Sequence, residues 1–389
     1  MQKTDMTSET ISLAARVMII AGETSGDQHG ARLVAAMRKI DDTLEFFGIG
    51  GASMKREGVE IVVDAASLSV VGITEVFSRA TGILSGLSMI KRAVAEKRPG
   101  LAILIDFPDF NLHMARYVKG FSIPVLYYIS PQVWAWRSGR IKKIRKYVDR
   151  MAVILPFEKG FYEGHGVPVT FVGHPLMDHC FAGPAKMHSE MPDGRAAIGL
   201  LPGSRPQEVV RNLPVMLAAA SCLNRKISGL TFVVSVAPGI DPHTVSEYVR
   251  PYIGVMDIST AAGEIGDLLS RCTMAIAASG TVTLETAIYG VPMVIVYRVS
   301  PVSYVLGRAL IRVDHIGLAN IIAEERVVPE LIQGDATPAN IARAVEAILN
   351  DPELYASTRS KLLMVRDQLG EAGASVRTAG IAYAMIKKA

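Results

Sequence analysis

A chain of 389 residues is longer than one hydrophobic core usually serves, so two domains are expected. Hydrophobic residues make up 50% and charged residues 20%, yet no apolar run reaches the ~18 residues of a transmembrane helix. Acids near the start argue against a secretory signal, three cysteines without CxxC spacing read as free thiols of a reducing cytosol, and a net charge of +4 matters less than its distribution.

Residues 16–21 (RVMIIA) have the pattern of a buried strand. A loop, GETSGDQHG, and a helical run, ARLVAAMRKI, complete the first strand–loop–helix unit of a doubly wound sheet. Gly22, Ser25 and Gly26 let backbone approach a ligand, and Glu23, Asp27 and His29 suit sugar hydroxyls or an amine better than phosphate. The competing reading makes Ser25 or Asp27 the helix N-cap. Residues 45–51 (EFFGIGG) form a second strand. Ser53 stands where GxGxxG needs its third glycine, which argues against a nicotinamide cofactor.

Residues 66–97 mix Leu68, Val70, Val71, Ile73, Val76, Phe77, Ile83, Leu84 and Leu87 with glycine and serine, and end on Lys91, Arg92, Lys97 and Arg98. That is the profile of an acyl-chain groove or a membrane-surface segment, set against ordinary helix packing on the sheet. The strand at 101–105 runs into DFPDFN. Asp106 at the carboxyl end of a parallel strand is a candidate general base, while Asp109 or Asn111 is expected to cap the next helix.

After a strand at 124–129 come both tryptophans, Trp134 and Trp136, and a basic cluster of Arg137, Arg140, Lys142, Lys143, Arg145, Lys146 and Arg150. Ile141, Ile144, Val148 and Met151 recur at helical spacing, giving an apolar face opposite a basic one. Such a face fits nucleic acid, anionic lipid, a phosphorylated substrate or plain solvent; tryptophan beside it favours a membrane interface. Further strands are expected at 151–155 and 170–173, and His174 reads as structural. Residues 179–194 lack periodicity and read as a linker.

Residues 196–201 restart the alternation. LPGSRPQE then sets Arg205 beside a helix N-terminus, where a guanidinium can clamp phosphate oxygens, unless it merely pairs with Glu208. Strands are expected at 231–236, 274–278 and 293–297. Between the last two lies ASGTVTLETAIYGVP, in which Ser279, Gly280 and Thr281 open a helix whose free N–H groups suit a phosphate. Glu285, one turn on, can accept from a ribose diol; an ordinary turn with a surface Glu competes. Residues from Pro338 onward read as helices. No Ser-His-Asp order, zinc spacing, Walker loop or Asp-x-Asp metal clamp is present, so neither a cofactor nor a required metal is expected.

AGETSGD (21–27), DFPDFN (106–111), SPQVWAWR (130–137), LPFEK (155–159), GHPL (173–176), LPGSR (201–205), ASGTVTLE (278–285) and LAN (318–320) follow one another in the order found in a known family. Over nearly its whole length the chain resembles the lipid-A-disaccharide synthases, glycosyltransferases of the lipopolysaccharide pathway. The resemblance implies an α/β, GT-B architecture: two Rossmann-like doubly wound domains facing a cleft, with C-terminal helices packing back on the first. It implies an acceptor and lipid domain at 14–178, a linker at 179–194, a UDP-sugar domain at 195–345 and the crossing helices at 346–389.

It further implies inverting transfer of 2,3-diacylglucosamine from UDP to 2,3-diacylglucosamine 1-phosphate (lipid X), giving the β-1,6-linked disaccharide 1-phosphate and UDP. Matching positions are Asp106 as general base, Glu23 for activity, Arg205 for the diphosphate, Ser279, Gly280 and Thr281 for phosphate, Glu285 for ribose, and Asn320. Ala319 replaces the proline that many relatives carry before that asparagine. The implied partners are the two substrates and an anionic membrane surface, without nucleic acid; an oligomer stays open. The implied location is cytoplasmic, peripheral to the inner membrane. Rival readings are a UDP-N-acetylglucosamine epimerase or soluble glycosyltransferase of the same fold, and a basic nucleic-acid module. The last would explain residues 137–150 but neither DFPDFN nor ASGTVTLE.

Overall fold

The computed structural model describes residues 16–68, 76–135, 138–180, 196–300, 304 and 314–388. The chain divides into two compact units, Met1–Pro175 with Glu371–Ala389, and Leu176–Gly370.

In the first unit, β1 (Arg16–Ala21), β2 (Glu45–Gly50), β3 (Glu60–Asp64), β4 (Leu101–Ile105), β5 (Val125–Tyr128), β6 (Arg150–Val153) and β7 (Val169–Phe171) form a parallel sheet in the order β3-β2-β1-β4-β5-β6-β7. β4 is buried at every position, as expected of a strand covered by helices on both faces. Those helices are α1 (Thr24–Ile40), α2 (Ala52–Arg56), α3 (Val76–Lys97), α4 (Pro108–Lys119), α5 (Ile141–Tyr147) and α6 (Pro156–Gly164).

In the second unit, α7 (Met177–Cys180) precedes β8 (Ala197–Leu201), β9 (Thr231–Val236), β10 (Asp257–Ala262), β11 (Met274–Ala278), β12 (Met293–Tyr297) and β13 (Glu330–Ile332), parallel in the order β10-β9-β8-β11-β12-β13. Its helices are α8 (Pro206–Lys226), α9 (Pro242–Val249), α10 (Ile265–Leu269), α11 (Val282–Ile288), α12 (Leu318–Ala323), α13 (Pro338–Leu349) and α14 (Pro352–Gln368). The last helix, α15 (Ala374–Ile386), belongs to the first unit, where Ala379, Ala382 and Ile386 join the core under Leu33, Val34 and Met37 of α1. Arg377 fastens it by donating to the carbonyls of Val172, Ala372 and Glu371.

Each sheet reverses its winding once, between β1 and β4 in the first and between β8 and β11 in the second. Loops that leave those strand ends part in opposite directions and open a crevice, the usual ligand position in doubly wound sheets.

Several local expectations change. β10 is polar and largely exposed along the sheet edge, so it lacks the apolar run that marks a strand in sequence. α5 stops at Tyr147, because Val148 turns extended and Met151 already belongs to β6. Arg140 is not on a solvated basic face: it is buried and its guanidinium holds Asp109 at 2.6 Å. On α3, Ile83 and Leu87 pack on the core, as helix packing on the sheet requires, while Leu84 is 66% exposed. Val70, Val71, Ile73, Trp136, Arg137 and most of the expected linker lie outside the described residues. Among the described residues, no helix is long and apolar enough to cross a membrane.

Candidate active site

Asp106 follows β4 directly, and it and Phe107 both take left-handed backbone conformations, with φ of 44° and 47°. Two consecutive non-glycine residues there cost roughly 1 kcal/mol or more each and persist only where the surroundings enforce them. Asn111 supplies that constraint by donating from Nδ2 to the carbonyls of Ile105 (3.1 Å) and Asp106 (2.7 Å), and the Tyr127 hydroxyl donates to the Asp106 carbonyl as well. The Phe107 ring stacks on Phe110 with centroids 5.1 Å apart and lies against Gly22, where any side chain would collide with it. The expectation that Asp109 or Asn111 caps α4 fails. Phe107 occupies the cap position without a side-chain bond, Pro108 needs no donor, Asp109 is bound to Arg140, and Asn111 secures the turn.

This packing brings the loop after β1 beside the loop after β4. Glu23 is the N-cap residue of α1, and its negative charge together with burial lifts the Asp106 carboxyl from 3.8 to about 6, burial being the larger cause. Asp27 is structural, since its carboxylate accepts from the backbone N–H groups of Gly51, Ser53 and Met54 and so ties α1 to the start of α2. The expected helix caps Ser25 and Asp27 therefore give way to Glu23, which makes no side-chain cap bond. His174 is buried, and burial with the charge of His29 lowers it to about 3, so it stays neutral.

In the second unit a pocket of about 660 Å³ opens at the ends of β8 to β11. Five of the expected residues, Arg205, Ser279, Gly280, Thr281 and Glu285, line it together. Arg205 is the N-cap residue of α8; its side chain is 74% exposed and pairs with Glu208 at 3.0 Å. Glu208 also accepts from the backbone N–H of Ser204 and Arg205, so one carboxylate holds both the turn and the guanidinium. Thr281 is the N-cap residue of α11. Gly290 ends that helix at φ 64°, the left-handed position that glycine favours. Glu285 is pushed up to about 7, first by burial and then by the neighbouring Glu264.

Asn320 does not line this pocket. It is fully buried, and its amide donates to the Val328 carbonyl and Glu330 while accepting from the Val328 N–H. Glu330 in turn accepts from the N–H of Ile316 and Gly317, and Ser279 donates to the Ile316 carbonyl at 3.2 Å. Asn320 thus reaches the 279–281 turn through two intervening groups.

The pocket also contains Glu264 and Arg271, which no motif marked. Glu264 follows β10 and caps α10, so overlooking that polar edge strand hides it. Among the described residues no group of three or more His, Cys, Asp or Glu is placed to hold a metal ion.

A family model described as "Lipid-A-disaccharide synthetase" matches residues 17–380. The chain belongs to the lipid-A-disaccharide synthase family. A lipid-A-disaccharide synthase of Geobacter metallireducens is 46% identical over 379 residues, covering 96% of this chain and 98% of that one. Among solved structures, the UDP-GlcNAc 2-epimerase of Neisseria meningitidis bound to UDP-GlcNAc matches with a TM-score of 0.65 at 12% identity, over 95% of this chain and 100% of the other. The calicheamicin glycosyltransferase CalG4 matches with a TM-score of 0.60 at 15% identity, over 96% and 98%. At such identities the likeness is one of fold, and that fold is GT-B. Family membership at high coverage makes the chain a glycosyltransferase that forms the lipid A disaccharide, acting on nucleotide-sugar and lipid-linked substrates.

Proposed function

We propose that the second unit is the donor domain (residues 195–345), with UDP-2,3-diacylglucosamine in its pocket, and that the first unit (residues 14–178) holds lipid X with its 6-hydroxyl at Asp106. The reaction is one inverting displacement. The acceptor oxygen attacks the anomeric carbon, its proton passes to the Asp106 carboxylate, and the bond to UDP breaks through an oxocarbenium-like transition state. Negative charge growing on UDP is met by Arg205 and by the backbone N–H groups of Gly280 and Thr281, that of Ser279 being bound to the Val296 carbonyl. Glu285 accepts from the ribose diol. Glu23 keeps Asp106 basic enough to take a proton, and Asn320 positions the phosphate turn rather than touching the ligand.

The observation that carries this reading is the strained, half-buried Asp106, its carboxyl lifted to about 6, at the crevice of its sheet. The test is turnover of UDP-2,3-diacylglucosamine with lipid X by the wild type beside Asp106→Asn. Disaccharide 1-phosphate from the wild type alone, with UDP still bound by the variant, supports both function and base. An active variant moves the base elsewhere, and an inactive, folded wild type rejects the substrates.

Both substrates carry acyl chains, so the enzyme has to meet a lipid surface from the cytoplasmic side. The exposed Lys142, Lys143, Arg145 and Lys146 of α5, which follow the half-buried Trp134 in sequence, fit an anionic leaflet. Charge-reversing Lys142, Arg145 and Lys146 should release the protein from vesicles containing phosphatidylglycerol, read by flotation. Unchanged flotation rejects α5 as the contact.

A further inference from the structure

Three helices of the first unit bring cations together beside one histidine. Lys91 of α3 lies 2.9 Å from His113 of α4 through Nζ and Nε2, so the ammonium donates to an unprotonated ring nitrogen. The Lys91 ammonium is also seated over the Tyr117 ring, 5.1 Å from its centroid, while the Tyr117 hydroxyl donates back to the Lys91 carbonyl at 3.3 Å. Lysine is ordinarily a mobile point charge; here its position is set by two neighbours.

Burial, then Lys91, Arg116 and Lys143 in that order, lower the pKa of His113, so Arg116 from α4 and Lys143 from α5 also act on the same imidazole. Among the described residues no carboxylate forms an ion pair with Lys91, Arg116 or Lys143. The acids nearby are taken: Glu96 by Arg92 at 2.7 Å, Asp109 by Arg140 at 2.6 Å, and Asp149 by Lys119 at 2.8 Å. Three uncompensated cations around a neutral imidazole form a positive surface cluster that repels any further proton. A doubly charged anion relieves that repulsion, and it recruits His113 as a fourth donor by restoring its proton.

From these contacts we infer that Lys91, His113, Arg116 and Lys143 bind the phosphate monoester of the acceptor, the group on the anomeric carbon, across the ring oxygen from the carbon that bears the reacting hydroxymethyl. The inference rests on the acceptor assignment made above. Its geometry is independent of that assignment: α4 starts at Pro108, two residues after Asp106, and His113 lies five residues further, roughly 8 Å along the helix at 1.5 Å per residue. The 6-oxygen and a phosphate on the first carbon of a hexose flank the ring oxygen, and a hydrogen bond's length at each end extends their span to the same order. A monoester near its second ionisation carries up to two charges and three acceptor oxygens, which suits three cations and an imidazolium better than a carboxylate would.

The test combines binding and kinetics on the full chain. With the histidine rings labelled for NMR, glucosamine 1-phosphate should raise the His113 pKa, whereas glucosamine without phosphate should not. In steady state, Arg116→Met and Lys143→Met should each raise the KM for lipid X about tenfold, the usual loss for one charge-assisted contact, without changing the KM for the UDP-sugar. Arg116→Lys should recover part of that loss, which a folding defect would not. An unmoved His113, or an equal change in the two KM values, overturns the proposal. So does a cluster variant that loses anionic vesicles while keeping its KM for lipid X, which would make the patch a membrane contact. If lipid X is never turned over but glucosamine 1-phosphate still shifts His113, the acceptor assignment fails while the phosphate site stands.

Discussion

Replacing Asp106 by Asn separates activity from stability in opposite directions. The native carboxyl is lifted from 3.8 to about 6 by burial and by Glu23, so the fold favours the protonated form. The full rise is worth about 3 kcal/mol at 1.36 per pH unit. Water at the partly open rim screens it, leaving ~1–2 kcal/mol. Because the folded value is raised, this stabilisation is complete below the unfolded value of 3.8 and is lost as pH climbs through about 6. Asparagine is neutral throughout and tolerates the left-handed backbone. Asp106→Asn should therefore melt a few degrees above the wild type at pH 8, about 2–6 °C for a domain of this size, and alongside it at pH 4.

Catalysis should move the other way. At saturating substrates, wild-type kcat should fall about tenfold per pH unit below pH 6, because only the carboxylate takes the acceptor proton, and the variant should lose at least a hundredfold at pH 8. Calorimetry at the two pH values, beside a pH profile of kcat at saturating donor, reads both effects. A variant that keeps wild-type kcat, or that melts below the wild type at pH 8, would refute the reasoning.

Glu285, lifted to about 7 by burial and Glu264, must be ionised to accept from a diol, so UDP affinity measured by calorimetry should strengthen between pH 6 and pH 8. Glu285→Gln should lose both the dependence on pH and about tenfold in affinity. Asn320→Ala leaves the buried N–H and carbonyl of Val328 without partners and takes one of three donors from Glu330, which should cost about 2–4 kcal/mol in urea unfolding of the second unit and weaken UDP through the loosened turn. An Asn320→Ala protein of native stability would contradict that role. Arg377→Met removes three bonds to carbonyls and should lower the melting point of the first unit, with α15 the first segment to lose amide-exchange protection.

The long apolar strands were legible because β1, β4, β8, β11 and β12 are buried on both faces, and a continuous apolar run is the direct imprint of that burial. β10 was not, since an edge strand needs only backbone partners on one side and its residues Ser259 to Ala262 face solvent or the pocket. Two motifs of the second unit, LPGSR and ASGTVTLE, converge on one pocket, and residue roles within the motifs were harder to assign. Asp27 and Asn320 are polar residues of short motifs and look like ligands in sequence, yet both spend their hydrogen bonds inside the fold, Asp27 on backbone and Asn320 on Val328 and Glu330. Nothing local distinguishes a carboxylate that caps a helix 24 residues away from one that meets a substrate. Arg140 was misplaced for the same reason: its partner, Asp109, lies 31 residues away. Cys222 and Cys272 are free thiols, in line with their spacing.

The two units place related chemistry at equivalent positions. β4 and β11 each lie next to the first strand of their sheet, on the side where the winding reverses. Asp106 follows β4 and Glu285 sits in the helix after β11; each is a carboxyl raised by burial with help from a second acid, Glu23 in one unit and Glu264 in the other. The topology accounts for this recurrence. At a reversal point the two neighbouring loops diverge, so a residue there is walled by the sheet and its helices on several sides while one side opens to a ligand. Partial burial follows, and with it the upward shift that makes a carboxylate basic near neutrality. Two such groups titrating about a pH unit apart predict a rising limb with two steps: donor binding improves through about pH 7, while the chemical step improves through about pH 6. Glu264→Gln should bring the donor-binding step to lower pH and leave the chemical step in place, and Glu23→Gln should do the reverse. A single variant that displaces both steps would show that the two carboxyls do not act separately.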